Sequence, residues 1–333
     1  MNVPLWVWVL TVGVIIAMLA VDYLGHVRTP HAPSLPEATR WSLAYVAIAV
    51  VFGCVVWAVW GPTYGGEYFA GYITEKSLSV DNLFVFVLIM TSFAVPRNLQ
   101  QKVLLIGITV ALVLRTIFIV LGAAMIANFS WVFYLFGAFL VWTAVAQARH
   151  GTAQDEEYHE NGILRWVRRV FPTTETYVDD RLTTKIDGRR YITPMLIVMI
   201  AIGSADLLFA VDSIPAIFGL TEQTYLVFTA NAFSLLGLRQ LYFLIDGLLD
   251  RLVYLHYGLA AILGFIGIKL VIHALHTNEL PFINGGEHVE AIPEISTAVS
   301  LGFIVVVLVI TTVASLLRDR TLRARQISRE GDR

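Results

Sequence analysis

Apolar residues along this chain gather in long uninterrupted runs separated by short polar clusters. The runs fall at about 4–21, 41–60, 77–95, 103–126, 131–148, 193–219, 224–245, 252–275 and 296–317. Each is near the roughly 20 residues that an α-helix needs to cross a bilayer. A closed β-barrel is the other structure that a bilayer permits, but unbroken apolar runs argue for helices. The pattern therefore predicts an all-α polytopic membrane protein of about nine transmembrane helices. The first run lacks a basic leading segment, and no small-x-small cleavage site precedes Asp22. It is expected to be a retained span and not a removed signal peptide.

Composition agrees with this pattern. The 333 residues are 57% hydrophobic and only 14% charged, against roughly 25% charged in a soluble domain, and the mean hydropathy is +0.71. A net charge of −2 gives no sign of a nucleic-acid partner. The one cysteine, Cys54, lies inside the second run and reads as a small buried hydrophobe.

Basic residues then orient the spans. The tail carries Arg318, Arg320, Arg323, Arg325, Arg329 and Arg333. With that tail in the cytoplasm, nine spans put the N-terminus outside. The inner loops then hold Arg28 and Arg40, Arg97 and Lys102, eight basic residues from Arg149 to Arg190, and Arg251. The outer loops at about 61–76, 127–130, 220–223 and 276–295 hold only Lys76, at a membrane boundary. This asymmetry is the positive-inside rule, and one missed helix would scramble it.

The same reading divides the chain into two N-terminal spans (1–60), a three-helix unit (61–148), a connector (149–192), a second three-helix unit (193–275), an acidic outer loop (276–295), and a last span with its basic tail (296–333). The connector mixes acids with bases, contains an amphipathic piece around 163–171, and is a candidate docking surface for membrane or cytoplasmic proteins. The outer loop, with Glu279, Glu287, Glu290 and Glu294, is either simply solvated or a weak electrostatic funnel for cations.

Two strings repeat. Glu75-Lys-Ser-Leu-Ser-Val-Asp81-Asn82 opens the third span, and Asp206-Leu-Leu-Phe-Ala-Val-Asp212-Ser213 lies in the sixth. Arg115 in the fourth span has a counterpart in Arg239 of the seventh. Spans 3–5 and 6–8 thus read as two copies of one unit, inverted because three is odd. Transporters built this way bind their ligand near midplane, where the copies meet.

A carboxylate at the bilayer centre costs about 2.5–3.5 kcal/mol on insertion scales, so Glu75, Asp81, Asp206 and Asp212 need a reason to be there. One reading pairs them with Lys76, Arg115, Arg239 and Lys269 as architecture. The other lets Asp81 and Asp212 face one another and share a cation. Each acid pair is spaced i, i+6, about 120° apart around a helix and 9 Å along it, which leaves Glu75 and Asp206 for a vestibule or proton relay. Pro215 frees the carbonyl of Val211 beside Asp212, and Asn231 in the seventh span is a further oxygen donor or an interhelical hydrogen-bonding group. Carboxylates, amides and hydroxyls without nearby cysteine or histidine suit Mg²⁺, Ca²⁺ or Mn²⁺ over copper or zinc.

At these residues the sequence resembles the TerC family of membrane proteins. The matching strings are the two above and Ala230-Asn231-Ala-Phe-Ser-Leu-Leu-Gly-Leu-Arg239, and the likeness runs from about residue 1 to 320. The resemblance implies a nine-span inner-membrane protein related to LysE-type exporters and associated with manganese efflux. It implies a metal role for Glu75, Asp81, Asp206 and Asp212, with Asn82 and Ser213 beside them. Two departures stand out. Gly203 replaces a glutamate common in relatives, and Ala146-Gln147 stands where a lysine like Lys269 often ends the fifth span.

Two functions remain in play. The first is a secondary exporter of a divalent metal, Mn²⁺ foremost, exchanging protons and holding no covalent cofactor. The second is a non-transporting scaffold in a metal or tellurite stress response. An enzyme is disfavoured, since no GxxxxGK[ST], HExxH or GxSxG string occurs.

Overall fold

The computed structural model describes residues 1–27, 34–150, 162–174, 176–177, 181–186, 189–245, 254–281, 283–289 and 292–331. Arg28, Arg251 and Glu290 lie outside these residues. The helices are α1 (Leu5–Asp22), α2 (Leu35–Trp60), α3 (Pro62–Ser92), α4 (Arg97–Asn128), α5 (Val132–His150), α6 (Gly162–Val170), α7 (Pro194–Phe218), α8 (Thr224–Leu236), α9 (Leu238–Ile245), α10 (Leu255–His276) and α11 (Thr297–Gly331). A hairpin of β1 (Thr183–Ile186) and β2 (Arg189–Ile192) precedes α7. The protein is an all-α multi-pass membrane protein, and seven of its segments are long and apolar enough to span a bilayer among the described residues.

The other two expected spans are the most polar and the most broken. Helix α3 carries Glu67, Glu75, Lys76 and Asp81, and Gly237 divides the seventh run into α8 and α9 of 13 and 8 residues. Helix α3 also begins 15 residues earlier than its apolar run. Gly61, at φ +99°, turns the chain sharply out of α2, and Pro62 pre-sets the first helical position. The expected outer loop 61–76 is therefore helix. Lys76 sits within it and not at a boundary.

Packing fixes relative directions. Tyr68 and Phe69 of α3 cover Gly53 of α2, and Gly65 lies under Trp57, so these helices run antiparallel. Helix α4 runs parallel to α7, with Gly107 against Ile202 and Gly122 against Phe218. Helix α3 runs parallel to α8, with Gly71 near Ala230 and Lys76 bonded to Ser234. Helices α5 and α10 cross antiparallel at a glycine contact: a Cβ on Gly267 would stand 2.9 Å from the carbonyl oxygen of Gly137. Helix α11 runs antiparallel to α10, with Gly258 against Thr311 and Phe265 stacked on Phe303. Close helix contact through small residues is the usual way membrane helices associate. The apolar faces left outside, such as Val51, Val55 and Val59 of α2, are the lipid surface. Cys54 belongs to that face. It is exposed, where burial was expected from its apolar surroundings alone.

These directions generate a topology test. Reporters fused after Arg333 and inserted at Gly286 should fall on opposite sides of the membrane, the first cytoplasmic. Both on one side would contradict nine crossings.

Candidate functional site

Asp206 lies midway along α7, and Glu75 and Arg115 near the middles of α3 and α4. All three side chains are 0–1% exposed. They meet. The Arg115 guanidinium donates from Nε to Asp206 Oδ2 at 2.9 Å and from Nη2 to Asp206 Oδ1 at 3.0 Å. Its Nη1 donates to Glu75 Oε1 and, at 3.2 Å, to Ser213 Oγ. The planar fork of arginine matches a carboxylate bidentately, which lysine cannot do. One cation from the fourth span thus joins an acid from each three-helix unit.

This grouping differs from the expected one. Glu75 and Asp206 are buried at mid-depth, so neither occupies a vestibule. Asp81 accepts a hydrogen bond from Gln147 Nε2 of α5 at 3.3 Å, whereas Asp212 lies within electrostatic range of Glu75 and Arg115. Neither Asp81 nor Asp212 is an electrostatic partner of the other, and among the described residues no group of three or more acidic, histidine or cysteine side chains forms a ready metal cage. Spacing of i, i+6 along single helices could not reveal which acid α4 would reach.

Around this centre lie polar atoms without a hydrogen-bond partner among the described residues: Glu75 Oε2, Thr74 Oγ1, Asn82 Nδ2, and both amide atoms of Asn231. Asn231 is fully buried. It follows Ala230, which packs on Gly71, and precedes Ser234, which meets Lys76 and Ser79. It therefore sits near the level of Thr74 and Glu75. Buried polar groups are nearly always satisfied by protein, water or an ion. Asn231, Thr74 and Glu75 each carry an unpartnered oxygen, the donor type that hard cations take.

Pro215 lies inside α7 and has no N–H to donate to the Val211 carbonyl. Helix α7 runs on through Pro215. A helix break falls at Gly237, and Lys76 Nζ donates to the Ser234 carbonyl oxygen at 3.1 Å. A Cβ on Gly237 would stand 3.0 Å from that ammonium, so the break and the lysine are one feature.

Of the charge-balancing candidates, only Arg115 serves the central acids directly. Arg239 Nη2 donates to Asp22 Oδ1 at 2.9 Å, joined by Gln240 at 3.3 Å and by Gln101, which Arg239 bonds at 3.4 Å. Asp22 is 1% exposed, a buried partner hidden in the sequence as the apparent end of the first span. Lys269 lines a cavity of about 720 Å³ with Glu67, Glu222, His273 and Glu294. There Thr221 Oγ1 donates to Glu67 at 2.6 Å, and His273 bridges Glu222 at 2.9 Å and Glu294 at 3.2 Å. The hydrogen bond with His273 holds the Glu222 carboxyl below the usual carboxylate range. Glu294, from the loop expected outside, borders this cavity.

A profile of the family described as "Integral membrane protein TerC family" matches residues 60–323. The chain is 55% identical over 317 residues to an uncharacterised membrane protein of Mycobacterium tuberculosis, covering 94% of this chain and 80% of that one. It is 39% identical over 313 residues to an uncharacterised membrane protein of Myxococcus xanthus, covering 94% and 92%. A protein of Escherichia coli K12 described as "Putative membrane-bound redox modulator Alx" is 40% identical over 270 residues, covering 78% and 83%. No solved structure matches.

Removing the central cation strands two carboxylates. Breaking a buried ion pair typically costs 3–5 kcal/mol, so Arg115→Gln should lower the thermal midpoint sharply in detergent. Arg115→Lys should recover only part of the loss. Adding Glu75→Gln and Asp206→Asn to Arg115→Gln should restore more. An Arg115→Gln protein as stable as wild type would contradict the assignment.

Proposed function

The chain belongs to the TerC family of integral membrane proteins, and on that premise we propose that it is a secondary transporter exporting a hard divalent cation, Mn²⁺, in exchange for protons. The observation that carries this reading is the meeting of acids from both three-helix units at mid-depth. In the central turns of these helices the four carboxylates Glu75, Asp81, Asp206 and Asp212 face two cations, Arg115 and Lys76, while Glu67, Arg97 and Lys102 lie in the first two turns of their helices. One divalent ion balances that formal excess. The unpartnered oxygens of Glu75, Thr74 and Asn231 are the donor type that hard ions prefer. The parallel pairing of α3 with α8 and of α4 with α7 supports reading spans 3–5 and 6–8 as an inverted repeat, with its site between the copies. The arginine asymmetry supports a cytoplasmic C-terminus and an external N-terminus in a bacterial cell membrane.

Arg115 has a specific part in this scheme. It is a tethered cation that neutralises Glu75 and Asp206 when no cargo is bound and gives them up when cargo arrives. Asp212, beside the pair, is the ligand left free for the incoming ion, and Asp81 with Gln147 carries the proton. The outer cavity behind Glu67, about 12 Å along α3 from Glu75 at 1.5 Å per residue, is the exit.

The description of the Escherichia coli relative as a redox modulator, together with the ion pair already joining Glu75 and Asp206, favours a second reading. There the acids are architecture, and the protein is a non-transporting scaffold in a metal or tellurite stress response. Flux separates the two. In proteoliposomes the wild type should move Mn²⁺, and Asp81→Asn and Asp212→Asn should each cut the rate at least about tenfold at unchanged thermal midpoint, the factor a lost differential of 1.4 kcal/mol produces. Wild-type flux no higher than in empty vesicles would overturn transport and leave the scaffold.

A further inference from the structure

The connector between the two halves ends in a basic structure that the transport scheme does not use. Helix α6, Gly-Ile-Leu-Arg-Trp-Val-Arg-Arg-Val, is strongly amphipathic. Leu164 and Val167 are buried in the main core cluster, which also holds Met195 and Val198 of α7. The outward face is unusual for a soluble connector: Trp166 is 60% exposed, Val170 51% and Phe171 46%. Arg165 and Arg169 are exposed beside them. Aromatic and apolar side chains interleaved with arginine are the composition of helices that lie in a membrane interface.

The hairpin adds a cleft. In its antiparallel register Lys185 lies directly opposite Arg190. Like charges so placed repel and destabilise the pair. Arg181, Thr183 and Thr184 complete the lining of a cleft of about 440 Å³, and no carboxylate lines it among the described residues. Three cations and two hydroxyls around one space are matched by a phosphate, which accepts forked bonds from arginine.

Position selects the source of that phosphate. The Thr193 hydroxyl donates to the Arg181 carbonyl at 2.6 Å, and its N–H to the Leu182 carbonyl at 3.0 Å. The next residue, Pro194, opens the candidate span α7. Ile192 N–H donates to the Pro172 carbonyl at 3.0 Å, just past α6, which ties helix and hairpin together. The Tyr177 hydroxyl donates to the carbonyl of Phe93, where α3 ends. The basic cleft is thus anchored where helices enter the bilayer.

We propose that α6 and the hairpin form a binding site for anionic phospholipid. The headgroup phosphate sits among Arg181, Lys185 and Arg190, and Trp166, Val170 and Phe171 rest among the acyl chains. The lipid relieves the cross-strand repulsion and fixes the connector to the membrane surface.

The full-length protein in nanodiscs tests this. Wild type should melt higher in phosphatidylcholine containing phosphatidylglycerol than in phosphatidylcholine alone, and should retain phosphatidylglycerol in native mass spectrometry. The Lys185→Gln/Arg190→Gln variant should bind that lipid about thirtyfold more weakly, the order expected for two cations at an anionic surface. In phosphatidylcholine alone it should melt no lower than wild type, since the repulsion is gone. Equal lipid retention by variant and wild type would overturn the proposal, as would a variant destabilised without anionic lipid. A full stabilisation by inorganic phosphate in phosphatidylcholine alone would also overturn it, by making the cleft a soluble-anion site.

Discussion

A single guanidinium joins the two halves of this protein at the middle of its thickness. Arg115 reaches from α4 to Asp206 on α7 and Glu75 on α3, and all three are sealed from solvent. Such a group is tolerable only when paired and hydrogen-bonded, because each bare charge there costs several kcal/mol. The surrounding structure follows from holding that geometry. Gly107 lets α4 lie close on Ile202 of α7, and Gly71 lets α3 approach Ala230 of α8. Both contacts sit within about two turns of the charged centre. A second buried pair, Arg239 with Asp22, then locks α1 to α9 by the same chemistry.

Much of this was legible in the sequence. Apolar runs placed most helix ends within a few residues, since lipid solvent makes hydrophobicity an almost direct record of depth. Helix α3 escaped that record because its first half, with Glu67 and several glycines, is buried by neighbouring helices and not by lipid. The repeated acid strings singled out four carboxylates, of which Glu75 and Asp206 meet at Arg115. They did not show that Glu75 and Asp206 are the pair that meets, because that depends on where α4 carries Arg115. Likewise, Asp22 read as a span terminus, and Arg239 as a partner for the central acids. Only the parallel packing of α1 on α8, seen in Thr11 bonded to Tyr225, brings Asp22 to Arg239.

The arrangement gives the two halves a shared, buried polar centre with more acid than base and with unpartnered oxygens, while a separate acidic cavity lies further along α3 at Glu67. In the transport scheme, what moves is the partner of Glu75 and Asp206: guanidinium in one state, metal in the other. An ion pair that is only architecture has no such second state. The difference between carrier and scaffold therefore rests on whether the space held by Arg115 is a general cation pocket.

Chemical rescue measures this most directly. Arg115→Ala leaves the two acids and an opening the size of the lost side chain. Guanidinium at concentrations below those that denature should raise the thermal midpoint of this variant saturably, with urea as the neutral control, and Mn²⁺ should compete with it for the same stabilisation. A variant that gains nothing from guanidinium beyond urea, or whose rescue Mn²⁺ leaves untouched, would contradict the account.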